Sequence, residues 1–306
     1  MDVFFQQIYS TLIVVVVVLV VAGVMCFAKW RLDQKIRRRN RRTPLTRNML
    51  RTPGETLRSE LAELELDFGW EFGVAFFLPL LFCTNAFQIG RGLQPVNIAL
   101  LVIVVIATTA VFEYWILRRI FKRMEKIRNL RLGLEGELAS AEELNKLMLA
   151  GFHVYHDLPF QYGNIDHVVI GVSGVFAVET KARAKSNAQP EGHKVTVDHN
   201  KDGLRFADQN WKMPVRQMET TQRWLSQHLS EATGLSVNVI SVLALPGYFI
   251  EKQIGSGKFK VINPVSCKRD FDDGLKRHSH EEVQRIAHQV EQLCRNVEPS
   301  FKGSAS

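Results

Sequence analysis

Between Asp2 and Lys29 the chain runs 26 residues without a charged side chain. A helix needs about 20 apolar residues to cross a bilayer, so this run, with its valine-rich centre at 13–21, predicts a transmembrane helix over 8–28. Its basic residues follow the apolar run, the reverse of the order in a cleaved signal peptide. Two further charge-free stretches predict spans over 71–90 and 96–117. The middle one holds Pro79 and Asn85. Proline is tolerated in membrane helices when neighbours satisfy the freed carbonyl, and a re-entrant or interfacial segment is the alternative.

Charge distribution orients these spans. Residues 29–42 carry eight basic side chains to one acid, and 118–128 carry six to one. Basic clusters flanking spans stay on the cytoplasmic side, which places the N-terminus outside and everything after residue 130 in the cytoplasm, at the inner (plasma) membrane. The net charge of +8 belongs wholly to the first part: residues 1–130 hold 18 basic and 10 acidic side chains, the remainder 21 of each. The arginine runs therefore read as topology determinants and lipid-headgroup contacts rather than a nucleic-acid site. A membrane anchor over 1–130 and a cytoplasmic domain over 131–306 follow. With 46% hydrophobic residues, disorder as the dominant state is excluded. The four cysteines show no CxxC spacing, so neither a disulfide framework nor a structural zinc site is indicated.

Thr52-Pro53-Gly54-Glu55 has the form of a capping box with proline at the first helical position, predicting a helix over 53–68. Leu57, Leu61, Leu64 and Phe68 share one face of it, and four acids lie elsewhere around it. An acidic amphipathic helix suits anionic lipid poorly. It packs on a protein surface, either its own soluble domain or a neighbouring subunit as a homo-oligomer or protein partner, or it is a solvated connector.

The second part reads as α/β. A helix is expected over 135–150, stopped by Gly151, then strands over 152–156, 165–171 and 174–181, a helix over 213–232, a strand over 236–245 and a last helix over 281–296. Val172-Ser173 separates two β-rich runs by the length of a tight hairpin turn. If Gly171 pairs with Gly174, counting back along both strands sets Asp166 opposite Glu179. Strand side chains alternate in facing, so Glu179 and Lys181 share a face and Thr180 points away. Two carboxylates about 5 Å apart at Cβ repel unless a cation separates them, and Mg²⁺ suits one or two carboxylates plus waters. A nearby lysine can position or deprotonate the attacking water and offset phosphate charge.

Gly133-Leu-Glu-Gly136-Glu137, Ile165-Asp166-His167 and Glu179-Thr-Lys181, in this order and spacing, resemble the nuclease-related domain (NERD), a branch of the PD-(D/E)XK phosphodiesterases. The resemblance spans roughly residues 131–220. Asn210-Trp-Lys-Met-Pro214-Val-Arg-Gln217 is similar to that family's Asn-Pro-Gln signature, with extra residues between Asn210 and Pro214. The resemblance implies a mixed four-stranded sheet flanked by helices, here preceded by a three-helix transmembrane region. It implies Asp166 and Glu179 as ligands of Mg²⁺, with Mn²⁺ as a substitute, and Lys181 serving the nucleophilic water. Glu137 becomes a further ligand or water-positioning carboxylate, and Gln217 orients the scissile phosphate or a metal-bound water.

Other candidates have plainer readings. His167 points away from Asp166 and suits a packed strand face, and His156-Asp157 before Pro159 suits turn chemistry. His278-Ser279-His280 reads as a helix approach, residues 194–206 as an inserted hairpin with an Asp-Gly turn, and Gly255-Ser-Gly257 as a loop entering a strand at 259–262. Lys181, Arg183, Lys185, Lys212 and Arg216 are the cations left to line a site rim. The expected function is a membrane-tethered, metal-dependent nuclease acting on DNA, with RNA left open. The alternative is a non-cleaving membrane scaffold whose nuclease-like domain binds nucleic acid or a protein.

Overall fold

The computed structural model describes residues 23–24, 27–31, 34, 45–90, 95–185 and 193–299. They divide into two compact units, one built on Glu63–Ile127 and the other on Arg47–Ala62 with Arg128–Pro299. The residue-130 boundary expected from composition falls inside a long helix.

The first unit is helical. Helix α1 (Glu55–Gly90) and helix α2 (Pro95–Asn145) contribute their membrane-like stretches to it. Helix α1 joins the expected amphipathic helix and the expected middle span into one element, passing through Pro79. The Asn85 amide donates to the Leu81 carbonyl at 2.7 Å, so this polar side chain is served by its own helix. Glu71 is buried against Arg119 (2.6 Å) and Arg123 (3.0 Å). Three spans are not all found: among the described residues one helix, Asn97–Ala150, is long and apolar enough to cross a membrane. The apolar run in α1, Gly73–Ala86, is shorter than a span. The expected first span, 8–28, lies outside the described residues except for Gly23, Val24, Phe27 and Ala28.

The second unit holds two mixed sheets. Strands β1 (His153–Phe160), β2 (Gly163–Gly171) and β3 (Gly174–Thr180) form an antiparallel meander. An insertion follows, with β4 (Lys194–Asp198), β5 (Gly203–Phe206) and β6 (Asn210–Lys212), then helix α3 (Val215–Thr233). Strand β7 (Val239–Ala244) pairs parallel with β3, β8 (Phe249–Ile254) pairs parallel with β4, and β9 (Lys260–Ile262) pairs parallel with β7. The main sheet is therefore five-stranded, β1-β2-β3-β7-β9, and the second is β6-β5-β4-β8. The expected four-stranded sheet gains a fifth strand because 260–262 adds to the free edge of β7. A short helix α4 (Lys268–Phe271) and a last helix α5 (His280–Cys294) complete the unit.

Alternation along the strands divides the core. Val168, Ile170, Val175 and Ala177 pack against Leu225 and Leu229 of α3 and Ile286 and Val290 of α5. Val154, Val169, Phe176 and Val178 face the other way, onto Leu144, Leu147 and Phe271. Helix α2 passes into a short 3₁₀ turn (Lys146–Ala150), and Gly151 ends it in the left-handed conformation at φ 85, as glycine does past a helix end. Ser279 caps α5 with Glu282 in a reciprocal capping box, which is the physical role of the His278-Ser279-His280 segment.

Candidate active site

The expected hairpin register is the one observed: Gly171 pairs with Gly174, and the ladder continues to His167 with Val178. Beyond that point β2 leaves β3. Asp166 bridges the gap, its carboxylate accepting from the Thr180 amide at 2.6 Å. Glu179, on the α3 side of β3, accepts on one oxygen from both Lys181 Nζ (2.6 Å) and Gln217 Nε2 (2.8 Å). Gln217 reaches it from the first turn of α3. Lys181 is placed by its own amide, which continues the parallel ladder to the Ala244 carbonyl at 3.0 Å.

Glu137 arrives from α2. Gly136 allows this approach: a Cβ there would collide with the Ala182 Cβ, so only glycine lets the helix lie on the chain leaving β3. Gly54 does the same from the turn that leads into α1, with a left-handed φ of +68 and no room for a side chain against Leu134. Glu137 is 6% exposed and one of its oxygens, Oε2, has no partner among the described residues. Burial first, then the Asp157 and Glu179 carboxylates, raise its pKa to about 7, against the pull of Lys181 and the Gly54 amide. Burial and then Glu179 and Glu137 likewise hold the Asp166 pKa well above the usual carboxylate range, opposed by the Thr180 amide and Lys181. Burial works against the Lys181 ammonium, but bonded Glu179, with Asp166 and Glu137 behind it, outweighs burial and raises its pKa. Lys181 is thus a held cation here, suited to orienting an anion or water rather than taking its proton.

The structure therefore brings Asp166, Glu179, Lys181, Gln217 and Glu137 into one electrostatically coupled cluster. Among the described residues no three His, Cys, Asp or Glu side chains surround a common metal position. The donor set is two hard carboxylates, which fits a water-rich Mg²⁺. The orphaned buried oxygen of Glu137 and the raised carboxylate pKa values are what a cation would relieve. Asn210 lies elsewhere, on β6 beside Arg205 of β5. Arg183 also turns away from the site: it pairs with Asp208 and lies over the rings of Phe206 (4.7 Å) and Trp211 (5.2 Å). Lys185 sits over Tyr248 at 5.3 Å.

Two features next to the cluster were not expected. Asp157 is no turn residue: β1 runs on through it, with a left-handed φ of 51 and no exposed surface. Its carboxylate accepts from Arg51 Nε (2.7 Å), the Thr56 amide (3.0 Å), the Thr56 hydroxyl (2.9 Å) and Asn164 Nδ2 (2.6 Å). Residues 47–62 are thereby fastened to the rest of the second unit, helped by a β-bridge between Met49 and Val297. Leu57 packs on Gly133, and Leu61 is buried. The Thr52 hydroxyl donates to the Glu55 carboxylate instead of accepting from its amide, so the capping-box geometry expected there is absent. A Thr-Pro-Gly-Glu helix start was visible in the sequence; its partner, about a hundred residues away, was not.

The second feature is a histidine pair. His156 and His167 stand opposite one another on β1 and β2, their Nδ1 atoms 2.9 Å apart, and His156 Nε2 meets Asn145 Oδ1 at 3.1 Å. An amide oxygen only accepts, so His156 Nε2 carries a proton, its Nδ1 accepts, and His167 Nδ1 donates. Burial lowers the His156 pKa to about 4, and burial plus the neighbouring ring lowers that of His167 well below its usual value. Both rings are neutral.

No curated protein and no solved structure matches the chain. A family model does: that of the nuclease-related domain, over residues 132–246, a stretch from the Gly133–Glu137 turn of α2 to the residue pair after β7. The chain carries a nuclease-related domain over these residues.

Proposed function

We propose that this domain hydrolyses phosphodiester bonds of DNA with a divalent cation, Mg²⁺ or in its place Mn²⁺, held by Asp166 and Glu179. The observation that carries this reading is the meeting of Asp166, Glu179, Lys181 and Gln217 at the point where β2 and β3 separate. When bound, the cation supplies Lewis-acid polarisation of the phosphate and a water of lowered pKa. The protein groups do the rest. Lys181, kept protonated by its carboxylate neighbours, orients the attacking water and offsets charge gathering on the phosphate oxygens. Gln217 holds Glu179 with one amide hydrogen and has a second for a phosphate oxygen. Glu137, with a pKa of about 7, is poised to exchange a proton near neutral pH.

We propose further that the domain is tethered on the cytoplasmic face of the membrane. The support is the most apolar window of Asn97–Ala150, of which 6% is buried, and the basic residues of 118–128 that follow it. Leu100, Ile103 and Ile106 are each more than 60% exposed, a surface suited to lipid. Retention of the chain in carbonate-washed membranes tests the tether; release into the wash refutes it.

Cleavage is tested with the full chain, because residues 47–62 belong to the folded unit. Plasmid and single-stranded DNA are incubated with Mg²⁺, Mn²⁺ or EDTA beside Asp166→Ala and Lys181→Ala. Metal-dependent cutting lost in both variants supports the reading. DNA or protein binding without cutting moves the assignment to a membrane scaffold.

A further inference from the structure

A groove of 860 Å³ opens directly beside the cluster, between the turn joining β1 to β2 and the exposed face of α3. Gln217 lines it and also holds Glu179, so one end of the groove is the candidate reaction centre. Among the described residues no acidic side chain lines it, but Arg216 and Arg223 do. Both arginines are exposed and have no carboxylate partner among the described residues. They stand seven residues apart on α3, about 10 Å along its axis at 1.5 Å per residue.

The opposite wall is aromatic. Tyr162, at the turn, is 69% exposed, yet it is held edge-on against Phe160, with centroids 5.9 Å apart at 78°. Phe160 leans in turn on Trp224 at 5.2 Å, and Trp224 is stacked with His228 at 5.1 Å. Trp224 is covered by its neighbours, while Tyr162 is fixed in place and bare. Exposed cations and a bare aromatic ring held in place together match a ligand with phosphates and planar bases. A base inside a duplex has its faces covered by adjacent pairs, so only an unpaired base can lie on Tyr162.

We infer that this groove binds a single-stranded DNA segment, with phosphates on Arg216 and Arg223 and an unpaired base on Tyr162, feeding the strand toward Gln217. The inference rests on the nuclease reading for the nature of the ligand and specifies its substrate class.

The test is binding by the full chain in EDTA, which is independent of cleavage. Fluorescence anisotropy compares labelled oligothymidylate with a blunt duplex of equal length. Tyr162→Ala is expected to weaken single-strand binding about tenfold, the scale of one lost base–aromatic stack, with duplex binding nearly unchanged and Tyr162→Phe behaving as the unaltered protein. Arg216→Ala and Arg223→Ala should each reduce the salt slope of single-strand binding by about 0.7. Equal loss on both ligands in Tyr162→Ala, an unchanged single-strand affinity, or no single-strand binding by the unaltered protein overturns the inference. Adding Mg²⁺ to the same samples separates the two ideas: groove-dependent binding without cutting leaves this assignment standing and removes hydrolysis. Cutting that Tyr162→Ala and both arginine variants leave unaltered, on single strands and duplex alike, removes the groove and keeps the nuclease.

Discussion

Asp166 and His167 are consecutive on β2, yet they belong to two buried polar clusters of opposite character. Asp166 enters a carboxylate cluster in which burial, Glu179 and Glu137 hold its pKa up and Lys181 is the counter-charge. His167 enters a pair of neutral rings joined to each other and to Asn145. One cluster is left with charges that repel one another, and the other is kept neutral by burial. Repulsion of this kind costs stability and persists where chemistry needs it, which is why the acidic cluster, and not the histidines, is the candidate site.

The largest expected effect breaks this comparison at its acidic end. Asp166→Asn keeps an oxygen for the Thr180 amide and removes a repelled charge. Cleavage should fall about 10³-fold, while the metal-free melting temperature rises or holds. A melting temperature that drops instead marks Asp166 as structural.

Asp157 supplies the contrast, because it is buried, bonded by four donors and paired with Arg51. Asp157→Ala should cost about 3–5 kcal/mol, the usual penalty for removing one partner of a buried ion pair. Asp157→Asn should cost less, since asparagine tolerates the left-handed backbone found there and retains one acceptor. Denaturant unfolding measures both, and equal losses in the two variants would mean that the charge alone, and not the retained acceptor, sets the cost.

Local patterns carried much of this architecture. A two-residue gap between Gly171 and Gly174 is enough to set the register that places Asp166 beside Glu179, because a tight turn leaves the strands one way to pair. The amphipathic spacing of α3 and α5 and the strand at 239–244 were equally legible. What was not legible depends on distant partners. Asp157 looks like a turn residue beside Pro159 until Arg51 and Thr56 are seen to converge on it. A strand at 259–262 was legible, but its place as the fifth strand beside β7 was not, because a parallel pairing leaves no tight turn to mark it, and Arg183 read as a rim cation until Asp208 and two aromatic rings enclosed it. Helix α1 runs unbroken through the expected gap at 69–70 and on through Pro79.

The two clusters also titrate in opposite senses over overlapping ranges. Glu137, raised to about 7 from 4.5, lends stability that is complete below about pH 4.5 and lost as pH rises through 7. His156, lowered to about 4 from 6.5, lends stability present above about pH 6.5 and lost as pH falls through 4. Each limb is on the order of 3 kcal/mol at full extent, so in EDTA the unaltered chain should melt at nearly constant temperature between about pH 4.5 and 6.5. Glu137→Gln should expose the histidine limb, with melting falling on acidification, and His156→Gln the carboxylate limb, with melting falling on alkalinisation. Mg²⁺ should mimic Glu137→Gln in the unaltered chain. Parallel melting curves in all four samples would show that the clusters do not titrate independently.

The smallest expected effect sharpens the acidic cluster from within. Lys181 Nζ and Gln217 Nε2 both donate to one oxygen of Glu179, at 2.6 and 2.8 Å. Each therefore restrains the carboxylate that the other also restrains, and their removals should not add. Lys181→Met removes a charge as well as a bond and should lower cleavage far more than Gln217→Ala. In the double variant Gln217→Ala should have little left to lose, giving a coupling energy of about 1 kcal/mol from cleavage rates. Strict additivity would mean that Gln217 acts on the substrate alone. A coupling of this size would mean that α3 contributes to the chemistry by fixing Glu179, and would explain why a glutamine at the first turn of that helix stands at the junction between the acidic cluster and the groove.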